Sequence, residues 1–589
     1  WVGDKSNPVG RANVIEDKEY RSRLLGNVFA EWKILKGLTF KTNWGMDAIY
    51  ENTTNFEPEY TWGSITHTPA SLSQSTASNL IWLSENTFTY HANFNQDHDL
   101  TVLAGVTAQS SAAQNLMASD NSYPYNSLRS LSAGSGTYGA GSATYDWSLL
   151  SYLGRINYAF KDKYLLTASI RADGSSRFGP QNKYGVFPSG SVAWRVSKER
   201  FMEQVNFVSD LKIRASYGVT GNQEIGLYDY ARLLATQNYA FGNQIYPGVG
   251  ATTLPNPLVK WEGVKQSDIG IDAYFLKNRL QVTADYFDKK TDGMLLQVPI
   301  PLSSGYINAA AVNAGTVDNK GVELTISTRL LDRKNFEWNS SFNISFIRNR
   351  VISLAGGSPI PGAGINFNQT ISLTSVGHSI GEFYGYVTEG IFQTAADVAK
   401  HAKQQPGTAP GDIMFKDLNK DGVIDDNDRT YIGNPIPKFT AGFRNSFRYK
   451  DFDLNLLITG VYGNKLFNAN RIFDEQMSGA FNQTAKTLNR WQSAGQPGDG
   501  KMPRAVWDDP NTNARTSDRY VEDGSYLRIK NLTIGYKLPA GLSNRIKLQQ
   551  VRFYAGVQNL LTITKYQGFD PEVGPYQQSG LQNGVDNGT

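Results

Sequence analysis

The sequence contains no cysteine, and this absence excludes disulfide bonds, thiolate metal sites and cysteine nucleophiles. Histidine is scarce, with five residues in 589. Only His91 and His98 lie close together, and this spacing weakens any proposal of a zinc site or a histidine base. The Gly-rich pieces lack the strand-to-helix context of a phosphate loop, and adjacent carboxylates have no partnered base. The sequence therefore predicts no enzyme.

A run of about eighteen apolar residues is also missing, which excludes a membrane-spanning helix. Charged residues make up only 19% of the chain and mean hydropathy is −0.40, yet hydrophobic residues make up 40%. A membrane β-barrel reconciles these values, because only every second residue of its strands must be apolar. The net charge of +4 is too small and too evenly spread to indicate nucleic-acid binding.

A clear alternation of apolar and polar residues is present between Phe439 and Tyr449, where the odd positions are mostly apolar. After Lys450 and Asp451 the alternation resumes from Phe452. A period of two predicts an antiparallel hairpin with one apolar and one polar face. Each arm of about ten to twelve residues is long for a soluble strand and suits a tilted crossing of a bilayer.

The same alternation recurs along the whole chain and predicts sixteen strands. They lie near residues 21–33, 38–48, 79–93, 99–109, 146–160, 164–173, 185–197, 210–221, 264–275, 279–291, 319–330, 336–347, 437–449, 452–463, 525–538 and 550–561. One strand changes parity, since Leu527 and Ile529 are odd whereas Leu532 and Ile534 are even. This change predicts a β-bulge near Lys530.

The connections between these strands alternate between short and long. The long ones cover about 49–78, 110–145, 222–263, 292–318, 348–436 and 464–524, with a shorter one at 174–184. Short turns on one side and long loops on the other are typical of an outer-membrane barrel, with periplasm at the short side and the exterior at the long side. We therefore predict an all-β fold, a transmembrane antiparallel β-barrel.

The direction of the strands predicts that both ends of this chain lie on the long-loop side. Bacterial barrels have both termini in the periplasm, so further strands are expected before and after it, about twenty-two in total. On that count residues 1–589 form part of one barrel domain, with the plug, the first strands and the last strand outside this sequence. The start at Trp1, without an initiator Met or export signal, also suggests a processed or truncated piece.

Several stretches carry a family resemblance, beginning with GDIMFKDLNKDGVIDDNDRTYIGNPIPKFTAGFRNSFRYKDFDL from Gly411. Others are RADGSSRFGPQNKYGVFPSGSVAW (171–194), SYGVTGNQEIG (216–226), NAGTVDNKGVEL (313–324) and YLRIKNLTIGYKLP (526–539). Together they resemble the SusC/RagA-type TonB-dependent receptors of the Bacteroidetes outer membrane, in the barrel portion.

The resemblance implies a twenty-two-stranded barrel that imports oligosaccharides or oligopeptides. Energy would come from TonB, through a segment absent from this chain, and a SusD-like surface lipoprotein would close the top as a lid. A dimer of such SusC–SusD pairs is a further implied assembly. No cofactor is required for this activity.

The segment DLNKDGVIDDND (417–428), within the long connection 348–436, fits a twelve-residue calcium loop. Oxygen ligands at this spacing suit a hard cation, although Asp instead of Glu at the twelfth position shortens the reach. The alternative is an Asp- and Gly-rich turn held by its own hydrogen bonds. The predicted calcium ligands are Asp417, Asn419, Asp421, Val423 (through its carbonyl), Asp425 and Asp428.

Two further sets of residues are candidates for transport. Cations on the polar strand faces are expected to point into the lumen and to pair with a plug or with Asp268, Asp272, Asp285 and Glu323. They are Arg155, Arg171, Lys212, Arg214, Arg329, Arg444, Arg448 and Arg552. Aromatic residues of the long connections could contact ligand or lid, the alternative being packing between loops. They are Trp62, Tyr123, Tyr125, Tyr138, Tyr228, Tyr230, Tyr239, Phe241 and Tyr246.

Three functions are compatible with these patterns. The favoured one is an active outer-membrane importer. A passive diffusion channel would have a similar wall but no plug and no TonB-binding segment. A secreted calcium-dependent glycan-binding β-protein would be soluble without detergent, whereas the apolar strand faces predict a need for lipid or detergent.

Overall fold

A computed structural model describes residues 8–62, 65–298, 300, 302–306, 308–309, 311–362, 364–365, 369–479, 482–575 and 580–588. Sixteen long strands form one antiparallel sheet in which neighbours follow the order of the chain. They are β1 Glu16–Leu35, β2 Leu38–Glu57, β3 Ala70–Phe94, β4 His98–Tyr123, β5 Tyr138–Phe160, β6 Tyr164–Ser175, β7 Tyr184–Arg195, β8 Val208–Asn222, β9 Glu262–Phe275, β10 Leu280–Asp292, β11 Gly315–Arg333, β12 Phe336–Leu354, β13 Phe439–Tyr449, β14 Phe452–Tyr462, β15 Tyr526–Lys537 and β16 Arg552–Thr564. The predicted all-β fold and its sixteen strands are confirmed.

The predicted connections 49–78 and 110–145 are wrong for much of their length. Strand β2 continues to Glu57, and β3 already begins at Ala70. The ladder between β4 and β5 extends as far as the pair of Asp120 and Tyr138. These extensions are rich in Ser, Thr, Asn and Gln on both faces. Backbone hydrogen bonds hold the ladder regardless of side-chain polarity, so strands continue where no apolar face marks them.

The predicted bulge is confirmed. Against β16, the register of β15 shifts between Ile529 and Asn531, so that Lys530 is the additional residue. The same strand shifts against β14 opposite Leu457 and Ile458. The bulge therefore explains why the apolar residues of β15 change from odd to even positions.

The short turns use left-handed backbone conformations. Asn95 and Gln96 join β3 to β4 with φ of 51° and 61°, and Lys161 and Asp162 join β5 to β6 with φ of 53° and 51°. Such turns match the right-handed twist of the flanking strands and keep the connection short.

The chain divides into two compact units. Unit 1 comprises Trp1–Val192, Gly218–Val264 and Gly293–Ala314. Its connections pack in two small apolar clusters, one around Phe56 and one around Phe178. It also carries a two-stranded hairpin, Leu234–Phe241 with Gln244–Ala251.

Unit 2 comprises Ala193–Tyr217, Lys265–Asp292 and Gly315–Thr589. Its described residues within 355–438, 463–525 and 580–588 form what we call the loop assembly. A four-stranded sheet is built there from Ile360–Pro361, Ser372–Thr374, Glu382–Gly385 and Thr430–Gly433. A three-stranded sheet is built from Val521–Asp523, Lys465–Asn468 and Val585–Asp586.

The remaining elements are short. The other strands are Tyr60–Trp62, Ile65–His67, Thr253–Leu254, Leu295–Gln297, Asn308–Ala309, Ala311–Asn313, Gly364–Ile365, Gln369–Thr370, Thr388–Ile391 and Ile413–Phe415. The α-helices are α1 Pro8–Val14, α2 Ala395–Lys400, α3 Asn470–Asp474 and α4 Ala540–Arg545. The 3₁₀ turns are Leu131–Ala133, Val196–Lys198, Arg200–Met202, Leu302–Ser304, Asp426–Asp428, Ala485–Asn489 and Asp518–Tyr520. None of the described helices has the length and apolar character to cross a membrane.

Candidate transport site in the strand faces and long connections

An ion-pair cluster occupies the polar face of strands β8, β9 and β10. Arg214 lies 3.0 Å from Asp268 and 3.3 Å from Asp272, and it also pairs with Asp285. Lys212 lies 3.0 Å from Asp272. These are three of the four carboxylates that the sequence analysis placed opposite the wall cations. The fourth, Glu323, instead accepts a hydrogen bond from a serine hydroxyl of β12.

The other predicted wall cations differ in their partners. Arg171 pairs with Asp173 at 2.6 Å on its own strand, and Arg329 pairs with Asp332 near a short turn at 3.1 Å. Cross-strand pairs hold the cations Arg448, with Glu337, and Arg552, with Asp453. Arg155 and Arg444 are exposed and form no ion pair within the described part of the chain. Ion pairs across the strands therefore account for half of the eight predicted cations, namely Lys212, Arg214, Arg448 and Arg552.

Two of the predicted contact aromatics are packed against their own unit. Tyr123 is 3% exposed and packs against Phe56, with ring centroids 6.1 Å apart. Tyr230 is half-buried against the cluster around Phe178. Burial leaves Tyr123 no surface for a ligand, so the alternative, packing between loops, describes this residue.

Other predicted aromatics are exposed. Tyr125 is 70% exposed, and Tyr138 is exposed at the start of β5. The hydroxyl of Tyr228 donates to the Asp146 carbonyl at 3.4 Å. The side chain of Trp62 lies outside the described residues.

The hairpin of unit 1 groups three of the candidates. Tyr239 lies directly opposite Tyr246, and the rings of Tyr239 and Phe241 stack at 6.5 Å. All residues of the Leu234–Phe241 strand are exposed. Exposed aromatic faces of this kind can stack on sugar rings or on peptide side chains.

The loop assembly has its own dry core. Phe383, Phe467 and Tyr520 are fully buried, and the ring of Phe467 lies 5.9 Å from each of the other two rings. Ile472 and Val585 complete the cluster. The long connections of unit 2 are therefore a packed structure that can hold a fixed shape towards a ligand or partner.

A buried charge network lies beside this core. The carboxylate of Glu475 is fully buried and accepts hydrogen bonds from Arg471, at 2.9 and 3.0 Å, and from Arg519 at 3.1 Å. Arg471 also pairs with Glu522 at 3.0 Å. Burial alone would raise the pKa of Glu475, but the hydrogen bonds from Arg471 and the nearby positive charges outweigh it and lower that pKa. None of these residues stands in a sequence motif, so the sequence alone did not predict them.

A second buried pair fixes the strand Ile413–Phe415 of the assembly. Arg504 makes a two-pronged contact with buried Asp412, at 2.9 and 3.1 Å. Asn513 accepts from the backbone amide of Ile413 at 2.9 Å and donates to Asp412 at 3.0 Å. These residues lie about ninety to a hundred positions apart in the chain, so no local pattern predicts their contact.

The predicted calcium loop follows this strand. Its first carboxylate, Asp417, accepts from the backbone amides of Lys420, at 2.6 Å, and Gly422, at 2.9 Å. Gly422 has φ of 85°, the left-handed value that the sixth position of such a loop requires. The Asn419 and Asp421 side chains accept from amides two residues ahead, those of Asp421 and Val423.

The last carboxylate of the loop is turned towards the backbone. Asp428 is fully buried and accepts from the amides of Leu418, at 2.8 Å, and Asp425, at 2.9 Å. Asp425 in turn caps the turn Asp426–Asp428. Among the described residues, no three acidic or histidine side chains surround a common point where a metal could bind. This arrangement is that of a self-bonded turn, and calcium binding by the loop stays a prediction.

Comparison with known proteins bears on the whole sheet. The family model for a TonB-dependent receptor-like β-barrel matches residues 7–560. The chain belongs to the TonB-dependent receptors. One relative of this TonB-dependent receptor is receptor P3 of Formosa agariphila, 35% identical over 596 residues that include 100% of this chain and 58% of P3. SusC of Bacteroides thetaiotaomicron is 32% identical over 451 residues, which are 72% of this chain and 41% of SusC.

A solved structure, that of the RagAB peptide transporter, has a TM-score of 0.83 and 26% identity, covering 98% of this chain and 61% of that chain. The SusC/RagA resemblance drawn from the sequence is thereby confirmed, together with the barrel fold. The receptor chain spans about three-fifths of the length of relative P3. The secreted glycan-binding alternative is wrong, because TonB-dependent receptor barrels lie in the outer membrane.

Proposed function

We propose that this TonB-dependent receptor is an active importer of oligosaccharides or oligopeptides across the outer membrane. The observation that carries the proposal is the similarity of nearly the whole chain to the barrel of the RagAB peptide transporter. Family membership favours TonB-driven uptake over the passive channel that the sequence also allowed. The function is transport, with no covalent chemistry assigned to the chain.

A SusD-like lipoprotein is the proposed partner, closing the receptor as a lid, in a dimer of receptor–lipoprotein pairs. Its support is the resemblance to SusC/RagA-type receptors. The exposed aromatic hairpin with Tyr239, Phe241 and Tyr246 is a candidate contact for ligand or lid. A preformed loop assembly with a buried core supports a fixed docking face, because its shape does not have to be ordered on binding.

The proposal is tested by uptake in cells that carry the full-length receptor gene with a gene for the proposed SusD-like lipoprotein. Fluorescent oligosaccharide and oligopeptide pools are supplied separately. Uptake of one pool should require both the receptor and an intact TonB-binding segment. Uptake that persists after removal of that segment would indicate a passive channel and overturn the proposal.

The hairpin is tested in the same assay. A Tyr239→Ala, Phe241→Ala, Tyr246→Ala receptor should take up the pool at a rate reduced about a hundredfold, since three lost stacking contacts at about 1 kcal/mol each remove about 3 kcal/mol. The matched control is Phe201→Ala, an exposed aromatic in the connection between β7 and β8. Equal uptake by the two variants would remove the hairpin from the site.

A further inference from the structure

The apolar face of strands β10, β11 and β12 ends in a row of three exposed side chains. Tyr286 lies opposite Val322, which lies opposite Phe346. The row continues through the ring of Phe439, 5.7 Å from Phe346, to that of Tyr462, at 5.1 Å from Phe439. This aromatic-rich row lies towards the long-connection ends of the strands and is typical of the boundary between lipid tails and headgroups.

Charged residues replace apolar ones on the same face directly beyond this row. Lys320 lies between Asp288 and Arg348 in the register of the sheet, and Asp318 lies between a lysine of β10 and Arg350. Side chains two residues apart share a face. At about 3.3 Å per residue, the two charged rows lie about 7 and 13 Å beyond the apolar row. They therefore face the headgroup layer of the outer leaflet, away from the polar interior face.

The charges in these two rows are unevenly paired. Lys320 forms ion pairs with both carboxylates of these rows, at 3.0 Å from Asp288 and 3.2 Å from Asp318. Arg348 and Arg350 are exposed residues, and they form no ion pair with the residues that the structure describes. Two arginines on one face of β12, with no ion-pair partner among the described residues, are thus left at the level of the lipid headgroups.

We propose that Arg348 and Arg350 bind a phosphate group of a glycolipid in the outer leaflet. A planar guanidinium matches phosphate with two parallel hydrogen bonds, and two of them on one face can hold a single phosphate from two sides. The acyl chains of the same lipid would pack on Val322 and Phe346, which lie below the charges on this face. A lipid contacts both the arginines and the apolar side chains below them, whereas free phosphate contacts only the arginines.

The test uses the full-length receptor in detergent, titrated with diphosphoryl lipid A and with its dephosphorylated form, and measured by native mass spectrometry. Wild type should bind the phosphorylated form more tightly. Arg348→Gln with Arg350→Gln should weaken that binding about 10- to 30-fold, since each cation near an anionic lipid surface contributes about tenfold or less. Excess inorganic phosphate should not displace the lipid.

The matched control is Arg155→Gln with Arg444→Gln, which removes from the opposite strand faces two exposed arginines that form no ion pair with described residues. Arg348→Lys with Arg350→Lys keeps the charge and should retain most of the binding. Equal binding by the glutamine variant and the control overturns the proposal, as does equal binding of dephosphorylated lipid. If the glutamine variant loses a receptor dimer while its lipid binding is unchanged, the two arginines contact a second copy of the receptor. That result also overturns the proposal.

Discussion

Phe443 in β13 and Phe383 in the loop assembly are the same residue type in opposite surroundings. Phe443 is 40% exposed on the apolar strand face, whereas Phe383 is fully buried against Phe467. Charges show the same contrast, because Glu337 and Arg448 pair on an open strand face while Glu475 is buried beside the core. The long strands thus cover their apolar side chains with the membrane, whereas the loop assembly packs its apolar side chains against each other.

Of the changes predicted here, Glu475→Gln should cause the largest loss of stability in the loop assembly. The change leaves Arg471 and Arg519 without their shared carboxylate in a buried site, which costs about 3–5 kcal/mol of local unfolding free energy. Hydrogen exchange of residues 465–475 and 518–523 in the full-length receptor measures it. Glu337→Gln is the matched control, and its exposed pair should cost less than about 1 kcal/mol. Similar losses of protection in both variants would contradict the contrast.

The same network predicts a pH dependence. The pKa of Glu475 in the folded protein is lowered below its ordinary value of 4.5, since hydrogen bonds from Arg471 outweigh the effect of burial. Its contribution to stability is therefore complete above pH 4.5 and is lost as the pH falls through the lower, folded-state pKa. The difference in protection between wild type and Glu475→Gln should shrink as the solution is acidified. A difference that grows on acidification would refute this assignment.

Phe383→Ala should remove about 3–4 kcal/mol from the stability of the loop assembly, because it opens a cavity in a closed core. Phe443→Ala should cost much less, since lipid chains can fill the vacated space on the strand face. Thermal unfolding in lipid vesicles, monitored by hydrogen exchange of the assembly amides, compares the two variants. A larger loss at Phe443 would mean that this face packs against protein.

Two adjacent residues of β11 sharpen the assignment of faces. Leu324→Arg places a charge on the apolar face and should cost about 2–4 kcal/mol, whereas Thr325→Arg, on the polar face, should be close to neutral. Folding into vesicles, scored by heat-modifiable migration on gels, measures both. Tolerance of arginine at both positions would show that neither face meets lipid.

The smallest expected effect concerns the calcium loop. Millimolar calcium should slow amide exchange of residues 411–433 if the loop binds the ion, with affinity of about 0.1–1 mM. Asp421→Asn keeps the acceptor for the Val423 amide and removes one charge, so it should weaken the response. Unchanged exchange in wild type would leave the loop as a self-bonded turn.

Periodicity was sufficient for the wall because each strand meets lipid on one side and water on the other. Even the bulge at Lys530 could be read from a change of parity. The polar ends of β2, β3 and β4 could not, since their strands continue by backbone pairing after the apolar face has ended. Likewise, Tyr123 in the sequence is indistinguishable from an exposed loop tyrosine, and only its contact with Phe56 buries it.

The sequence by itself determined the strands, their faces and the family, because alternation and motifs are local properties of the chain. The contacts of Glu475 with Arg519 and of Asp412 with Arg504 were decided by tertiary structure alone. These contacts join residues from distant segments of the chain. Burying such a charged residue stabilises the fold only when its partner is buried with it. The pairing of Lys320 with Asp288 of β10, and not with a carboxylate next to Arg348 of β12, depends in the same way on the register of three strands.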